Sequence, residues 1–427
     1  MDKFIDMRGR YVSPGVYLIH PITVTHGVNE LLYDVEGREY LDFTSGIGVT
    51  NLGHSNRELV QAALDQLGKL WHISIHVANY PAYVTLASML VERVKLSGPA
   101  MTAFFNSGAE ATENAVKVSR RASGRPYVVS FIGGFHGRTT LALSLTGKYK
   151  PYKVGFEPLA PSIVKAPYPY CYRLRLEEDD CLNMVMSSLE LLVDVDLDPS
   201  VVASIMVEPI QGEGGFVVPP KGFLRELESF ARRRDILLIV DEIQTGYCRT
   251  GKFMAYEHYG ISPDIVTLGK AMANGLPISG IVGVESVMKK MDSGSIGGTF
   301  GGNPVSAAVA VKVIEVIERD NLCMRAESLG KLLSDRLSDL EKKYDFIGDV
   351  RGLGVMKAVE LVKDKHTREP DKGKAKRIVE EARRRGLLLL TAGYYGNVVR
   401  LHPPLTISEE NLARGLDILA ESVKSIA

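Results

Sequence analysis

The stretch ILLIVDEIQTGYCRTGKFMAYEHYGISPDIVTLGK, residues 236–270, decides the fold. It opens with the apolar run Ile236 to Val240, stops on Asp241, and passes through the turn-rich Glu242-Ile243-Gln244-Thr245-Gly246. A second apolar-led segment, Asp264-Ile265-Val266-Thr267-Leu268, leads to Gly269 and Lys270. Both runs are short, β-branched or leucine-rich, and bounded by glycine, proline or charge. That is how strands buried on both faces of a parallel sheet read. Ligand groups in open α/β sheets gather just past the carboxyl ends of strands, where Asp241 and Lys270 both stand.

Outward from this pair, strand and helix patterns alternate between residues 80 and 320. Thr102 to Phe105, Tyr127 to Phe131, Val201 to Val207 and Ile278 to Val284 read as further strands. Ala111 to Arg121 reads as a helix entered through Asn106-Ser107-Gly108-Ala109-Glu110. Such alternation predicts a largely parallel α/β sheet. Residues 145–175, rich in Pro, Tyr and Lys and without a clear period, read as a long irregular excursion, and excursions of that length are often functional. Upstream, Glu36-Gly37 between two alternating runs suggests a hairpin. Ser45-Gly46-Ile47-Gly48 reads as a loop, and Asn56 as the cap of a helix reaching about Leu70. Downstream, helices are expected from Pro304 to Arg319 and Leu322 to Lys343. Strands at 355–361, 387–390 and 398–401, with helices at 372–385 and 408–426, then suggest a small α+β domain.

The 427 residues are enough for two domains. Lys+Arg and Asp+Glu balance at 51 each, so no net field invites nucleic acid or anionic lipid. The runs Arg232-Arg233-Arg234 and Arg383-Arg384-Arg385 sit on helical patterns beside acids and read as solvated faces. No apolar run approaches the length of a membrane span. Met1 to Asp6 is charged and lacks the apolar centre of a signal peptide, so a cytoplasmic protein is expected. Cys171, Cys181, Cys248 and Cys323 form no C-x-x-C pair, which argues against zinc and fits a reducing compartment, with a Cys171–Cys181 disulfide as the open alternative. His72 and His76 are four apart, yet no glutamate follows His72, and Ile73 and Ile75 point to packing; no metal is expected.

Several stretches carry ligand chemistry. A helix N-terminus at Ser107-Gly108-Ala109 offers unpaired N–H groups to a phosphate. Phe135, after the next strand, can stack on a flat ring, and Arg138 offers a fork to a carboxylate. Asp241 needs a cationic partner if buried, and a protonated pyridine nitrogen is one. Gln244 can donate to a phenolic oxygen beside it. Lys270 must lose its proton to attack an aldehyde, which burial favours. One acid and one amine at neighbouring strand ends are the minimum requirement of pyridoxal 5'-phosphate chemistry. The glycine-dense run 297–304 can add a hydroxyl and amides to a phosphate cup. Dinucleotide, P-loop and nucleophile-elbow motifs are missing, which weakens NAD, NTP and serine-hydrolase readings.

Together these pieces resemble class III, fold-type I pyridoxal-phosphate aminotransferases over nearly the whole chain. The resemblance rests on NSGAEATENAVK (106–117), GGFHGRT (133–139), VEPIQGEGG (207–215), DEIQTGYCRTG (241–251), GGTFGGNP (297–304) and VVRLHPPLT (398–406), in the family's order. It implies a large cofactor-binding domain over residues 61–322 with a mostly parallel seven-stranded sheet. It also implies a small α+β domain from residues 323–427, joined by residues 1–60. Lys270 would hold the cofactor as a Schiff base and shuttle the proton, with Asp241 on the ring nitrogen and Gln244 on the phenolic oxygen. Phe135 would stack on the ring. Ser107, Gly108 and Ala109 would serve the phosphate, and His136 and Glu208 would complete the cofactor site. Thr299 would reach that phosphate from a neighbouring subunit, so a homodimer or dimer of dimers is implied. The stretch FHGRT…LTGKYKPYKVGF (135–156) looks most like 4-aminobutyrate aminotransferases. In that subgroup Arg138 would take the carboxylate of an ω-amino acid and Arg400 the α-carboxylate of glutamate or 2-oxoglutarate. Glu213 would neutralise Arg400 in alternation, and Ile47 would line the pocket. The implied activity is ping-pong transamination from an ω-amino acid or amine to 2-oxoglutarate or pyruvate. An amino-acid racemase of the same family and an ornithine- or acetylornithine-type aminotransferase are the alternatives. Against the resemblance, Phe131-Ile132-Gly133-Gly134 before Phe135 and Tyr394-Tyr395 before Arg400 read as departures, which are expected to reshape the pocket.

Overall fold

The computed structural model describes residues 2–427. Its central sheet has seven strands in the order Ala100–Phe105, Ser279–Val284, Ile265–Leu268, Leu237–Asp241, Val202–Val207, Tyr127–Phe131 and Ile163–Ala166. From Ile265–Leu268 to Ile163–Ala166 the neighbours pair in parallel. Ser279–Val284 runs antiparallel to both of its neighbours. Successive residues feed opposite faces: Leu238 and Val240 enter one apolar cluster and Ile239 the other, as do Val266 and Ile265. Both faces of each inner strand are therefore dry, which is why these strands read as unbroken apolar runs rather than as alternations. The helix Gly108–Ser123 covers one face through Ala111, Ala115, Val116 and Val118, and Phe223–Arg233 covers the other through Phe223, Leu224, Leu227 and Phe230.

Two smaller sheets flank this frame. Ile347–Leu353, Met356–Leu361, Val398–Leu401 and Leu390–Ala392 form an antiparallel sheet covered by Leu322–Lys343 and Lys372–Arg384. Val24–Val28, Leu31–Asp34 and Glu39–Asp42 form the other, and Leu387–Leu388 joins its edge in parallel. The expected single strand at 387–390 is thus divided between two sheets at Leu389. All four leucines are buried, so the apolar run carries no mark of the crossing.

Four other readings change. The excursion at 145–175 contains the edge strand Ile163–Ala166 and the short helix Cys171–Leu174; Ile163 and Val164 are only half-buried, and the surrounding prolines blur their pattern. Ser45–Gly48 is not a plain loop but one left-handed helical turn, with φ of 44°, 58°, 71° and 74° along it. His72 and His76 lie on irregular, exposed backbone between the helices Arg57–Leu67 and Pro81–Arg93, so their spacing of four does not align them on a helix. The cysteines are not free thiols: Cys171 is bonded to Cys181 and Cys248 to Cys323, with Cα–Cα distances of 5.5 and 4.6 Å. The second pair joins residues 75 apart, a proximity that spacing rules based on local motifs do not register. Among the described residues no helix is long and apolar enough to cross a membrane.

Candidate active site

Asp241 ends its strand in direct register with Thr267 on the next one. That register brings the Thr267 hydroxyl to Asp241 Oδ1 at 2.9 Å, and the Ile243 N–H donates to the same oxygen at 3.1 Å. His136 Nδ1 stands 2.6 Å from Oδ2. A carboxylate only 3% exposed is thereby held in one orientation by three neighbours, which offsets part of the cost of taking it from water. Behind it Glu208 accepts the Phe135 N–H at 2.9 Å and the Gly212 N–H at 3.0 Å. Burial, with the charge of Asp241 nearby, pushes the Glu208 carboxyl up to about 8. Glu208 therefore fixes the loop that carries Phe135 without adding a full second negative charge at neutral pH.

Lys270 begins a short 3-10 turn just past Ile265–Leu268, with φ at 46°. Burial pulls its amine down to about 8; Glu213 opposes that shift and Arg400 adds to it. Roughly one Lys270 in ten then carries the free amine at pH 7, against fewer than about one in a thousand for an ordinary lysine, and the free amine is the form that attacks a carbonyl. Lys270, Asp241, Gln244, Phe135, Gly108 and Ala109 line one cavity of about 180 Å³. At its far end Ser107 caps the helix Gly108–Ser123: its hydroxyl accepts the Glu110 N–H, and Glu110 reaches back to the Ser107 N–H. The first amides of that helix have no acceptor within it, so an anion is favoured there. A Cβ on Gly108 would lie 3.1 Å from Ile243, which packs beneath the same corner.

The residues present fit pyridoxal phosphate. They supply an amine of lowered basicity, a fixed carboxylate, a helix N-terminus for phosphate and an aromatic ring around one cavity. A buried Gln244 amide oxygen without a hydrogen-bond partner marks polar capacity that the chain itself does not use.

Arg400, on the strand Val398–Leu401, points its Nη1 at Glu213 Oε1, 2.5 Å away. The arginine side chain is 4% exposed and the glutamate 21%. Burial raises the Glu213 carboxyl, but Arg400 and Lys270 outweigh it and hold it below the usual carboxylate range. Arg400 Nε is buried without a partner, so the guanidinium keeps donor capacity beyond this pair.

Other residues singled out in the sequence stand apart from that cavity's lining. Arg138 is exposed and lies over the Tyr152 ring, 5.0 Å from its centroid. Ile47 is exposed on the left-handed turn. Thr299 is exposed in the glycine-rich turn, next to exposed Phe300. Residues the sequence reading did not single out are Thr267, Ile243, Tyr152 and Lys148. Thr267 had a usable signal: parallel pairing of the two apolar runs sets it beside Asp241. Tyr152 and Lys148 had none, because they come from the excursion without a period.

Residues 11–423 match the sequence profile of the family described as Aminotransferase class-III. The chain is 42% identical over 420 residues to a probable 4-aminobutyrate aminotransferase of Bacillus subtilis, covering 98% of this chain and 96% of that protein. It is 41% identical over 426 residues to a 5-aminovalerate aminotransferase of Pseudomonas aeruginosa, covering 100% and 99%. An omega transaminase from Pseudomonas jessenii, solved in complex with PMP, superposes with a TM-score of 0.90 at 27% identity, covering 95% of this chain and 92% of that one. With the amine, the carboxylate and the helix N-terminus gathered in one cavity, and with matches that run nearly end to end, the chain belongs to the class-III aminotransferase family and uses that family's cofactor, pyridoxal phosphate.

Proposed function

We propose that this protein transfers the amino group of an ω-amino acid of the 4-aminobutyrate type to 2-oxoglutarate or pyruvate in two half-reactions. The observation that carries this reading is the Arg400–Glu213 pair at the edge of the Lys270 cavity. A planar guanidinium grips a carboxylate through two parallel hydrogen bonds, which suits the α-carboxylate of the acceptor. When the donor has no α-carboxylate, Glu213 occupies the same fork and the buried cation stays paired. Arg138 then serves the donor's distal carboxylate, for which its exposed position over Tyr152 leaves it free.

When bound, the cofactor supplies an electron-withdrawing ring that stabilises negative charge at the donor's amine-bearing carbon. Lys270 Nζ, of lowered basicity, takes the proton from that carbon. Asp241, fixed by His136, Thr267 and Ile243, keeps the facing wall negative. Ser107, Gly108 and Ala109 hold the phosphate end, Phe135 covers the ring and Gln244 meets its phenolic oxygen. A second copy of the chain supplies Thr299 to the phosphate. Support for this comes from the exposed apolar residues Trp71, Val77 and Phe300, which suit a covered face rather than water. The same proposal divides the chain into a segment 1–60, a large domain 61–322 and a small domain 323–427; the cytoplasmic location expected from the sequence stands against the two disulfides, which are rare in reducing compartments. Pairing of Leu387–Leu388 with Glu39–Asp42 supports joining the first segment to the last.

The test is a screen of 4-aminobutyrate, 5-aminovalerate, ornithine and β-alanine with 2-oxoglutarate and pyruvate side by side. ω-Amino acid donors are expected to yield glutamate or alanine. Rapid racemisation of a single amino-acid enantiomer with no oxo acid present would overturn the assignment.

A further inference from the structure

Two segments beside the pocket, Ile132-Gly133-Gly134 and Tyr394-Tyr395, meet each other. The Tyr394 hydroxyl lies 3.0 Å from the Ile132 carbonyl and 2.9 Å from Gln211 Oε1, two acceptors that share its single proton. The Tyr394 ring lies so close over Gly133 that a Cβ there would come within 1.9 Å of it, and Gly133 has φ +81°. On the other side the Gly147 N–H donates to the Gly134 carbonyl at 2.6 Å. The loop 132–134 is thus clamped between Tyr394 and the start of the 145–175 excursion, and the clamp works only with glycine at 133.

This clamp forms one wall of a second cavity of about 390 Å³, which shares Phe135 and Glu213 with the Lys270 cavity and opens beside it. Of the residues matched to the cofactor that line the smaller cavity, only Phe135 also lines this annex. It lies within the ~300–1,000 Å³ range of sites that enclose drug-sized ligands, far more than a four-carbon amino acid needs. Tyr149, Tyr152, Tyr394 and Tyr395 line it, with Lys148 and Lys150. Lys148 is half-buried and donates to the Gly393 carbonyl at 3.1 Å; no carboxylate pairs with it. The one acid in the lining, Glu213, is engaged by Arg400. The annex therefore has aromatic walls, spare positive charge and no spare negative charge.

We infer that this annex is a second substrate subsite, which admits the apolar or aromatic body of a donor longer than five carbons with a neutral or anionic end and rejects a cationic tail. The inference rests on the transaminase reading for its choice of ligand, and narrows it. Aromatic faces stack on flat or aliphatic bodies. A donor ending in an ammonium group would bury a charge beside two lysines with no counter-ion.

The experiment compares the holoenzyme with Ile132→Trp, a change at an exposed position of the annex wall whose backbone carbonyl, the acceptor for Tyr394, is retained. Donors are 4-aminobutyrate, the eight-carbon ω-amino acid and the diamine of the same length. In the wild type the long amino acid is expected to keep kcat/KM within about tenfold of 4-aminobutyrate and to exceed the diamine by at least about tenfold, the weight of roughly 1.4 kcal/mol. Ile132→Trp should lower kcat/KM for the long amino acid at least tenfold and for 4-aminobutyrate less than twofold. Tyr395→Ala, also at an exposed position, should widen the annex and leave the long donor at least as good as in wild type. A direct binding readout accompanies the kinetics: quenching of tyrosine fluorescence by 4-phenylbutyrate, which has no amine to transfer. If no donor is transaminated but this acid binds and Ile132→Trp weakens it, the functional reading fails and the annex stands. If 4-aminobutyrate is transaminated while Ile132→Trp leaves both the long donor and phenylbutyrate unchanged, or the diamine matches the long amino acid, the annex is overturned.

Discussion

Replacing Arg400 by alanine should split the two half-reactions. The guanidinium is buried and held to Glu213 at 2.5 Å, so its orientation is set before any substrate arrives. With 2-oxoglutarate the substitution removes a charge-assisted fork to the α-carboxylate. Hydrogen bonds to charged groups are worth about 1.5–3 kcal/mol net; taking about 3 kcal/mol for the fork predicts a loss of roughly 150-fold in kcat/KM. With 4-aminobutyrate the same arginine meets only Glu213, and Arg138 takes the donor carboxylate, so the loss should stay below about tenfold. The change also leaves Glu213 without its partner. Breaking a buried pair in this way costs about 3–5 kcal/mol, and thermal denaturation must show that the variant remains folded at the assay temperature. Each half-reaction is followed separately by stopped-flow absorbance of the bound cofactor. Arg400→Lys, which keeps the charge but not the fork, should recover only a small part of the acceptor half-reaction. Equal losses in both half-reactions, in a folded variant, would refute the switch.

Three further outcomes are expected. Glu213→Gln removes the group that most strongly opposes the lowering of the Lys270 pKa, so the amine should titrate below about 8 in the cofactor-free protein; the pH dependence of acylation at Lys270, read by peptide mapping, checks this, and an upward shift counts against it. Lys165 is half-buried, with its amine turned in to the Ser130 hydroxyl and the Leu145 carbonyl, and desolvation pulls it down to about 6, well below its unfolded value of about 10.4. The unfolded chain therefore binds more protons between those values, and this side chain makes stability rise with pH by up to ~1.4 kcal/mol per unit there. Lys165→Met should flatten that slope and stabilise the protein at pH 7, as measured by denaturant unfolding across pH 6–10. Cys248–Cys323 closes a span of 75 residues and Cys171–Cys181 one of 10. Chain-entropy reasoning assigns them about 4 and about 3 kcal/mol, so Cys323→Ser should lower the unfolding temperature more than Cys181→Ser. The reverse order would point to local packing instead.

The parts of the fold legible in the sequence are those encoded over a few neighbouring residues. The apolar runs ending at Asp241 and Leu268 predicted inner strands because a strand dry on both faces leaves no polar alternation. The turn Asn106 to Glu110 after a strand predicted a helix from Ala111 to Arg121; the helix begins at Gly108, where Ser107 and Glu110 cap it with groups lying within one turn. The proline at 304 and the break after Arg319 bounded the next helix in the same way, and the structure places it at Pro304–Arg319. The acid, the amine and the helix N-terminus at Ser107-Gly108-Ala109 were legible for that reason too: each sits at the end of a local element whose type is clear.

What the sequence alone did not determine depends on contacts between distant segments. Glu213 and Arg400 are 187 residues apart; the family resemblance implied their pairing, but no local pattern did, because only the closing of the small sheet against the large one puts them within hydrogen-bond reach. Thr267 became a partner of Asp241 through strand register, Cys248 met Cys323 through a helix docking on a buried turn, and Tyr394 found Gly133 across the two sheets. The burial that moves Lys270 and Lys165 away from ordinary lysine behaviour is likewise a property of what surrounds them. Local chemistry therefore determined which elements form and which groups they carry. Tertiary packing decided which of those groups meet, because desolvation and charge pairing depend on distance in space and not along the chain.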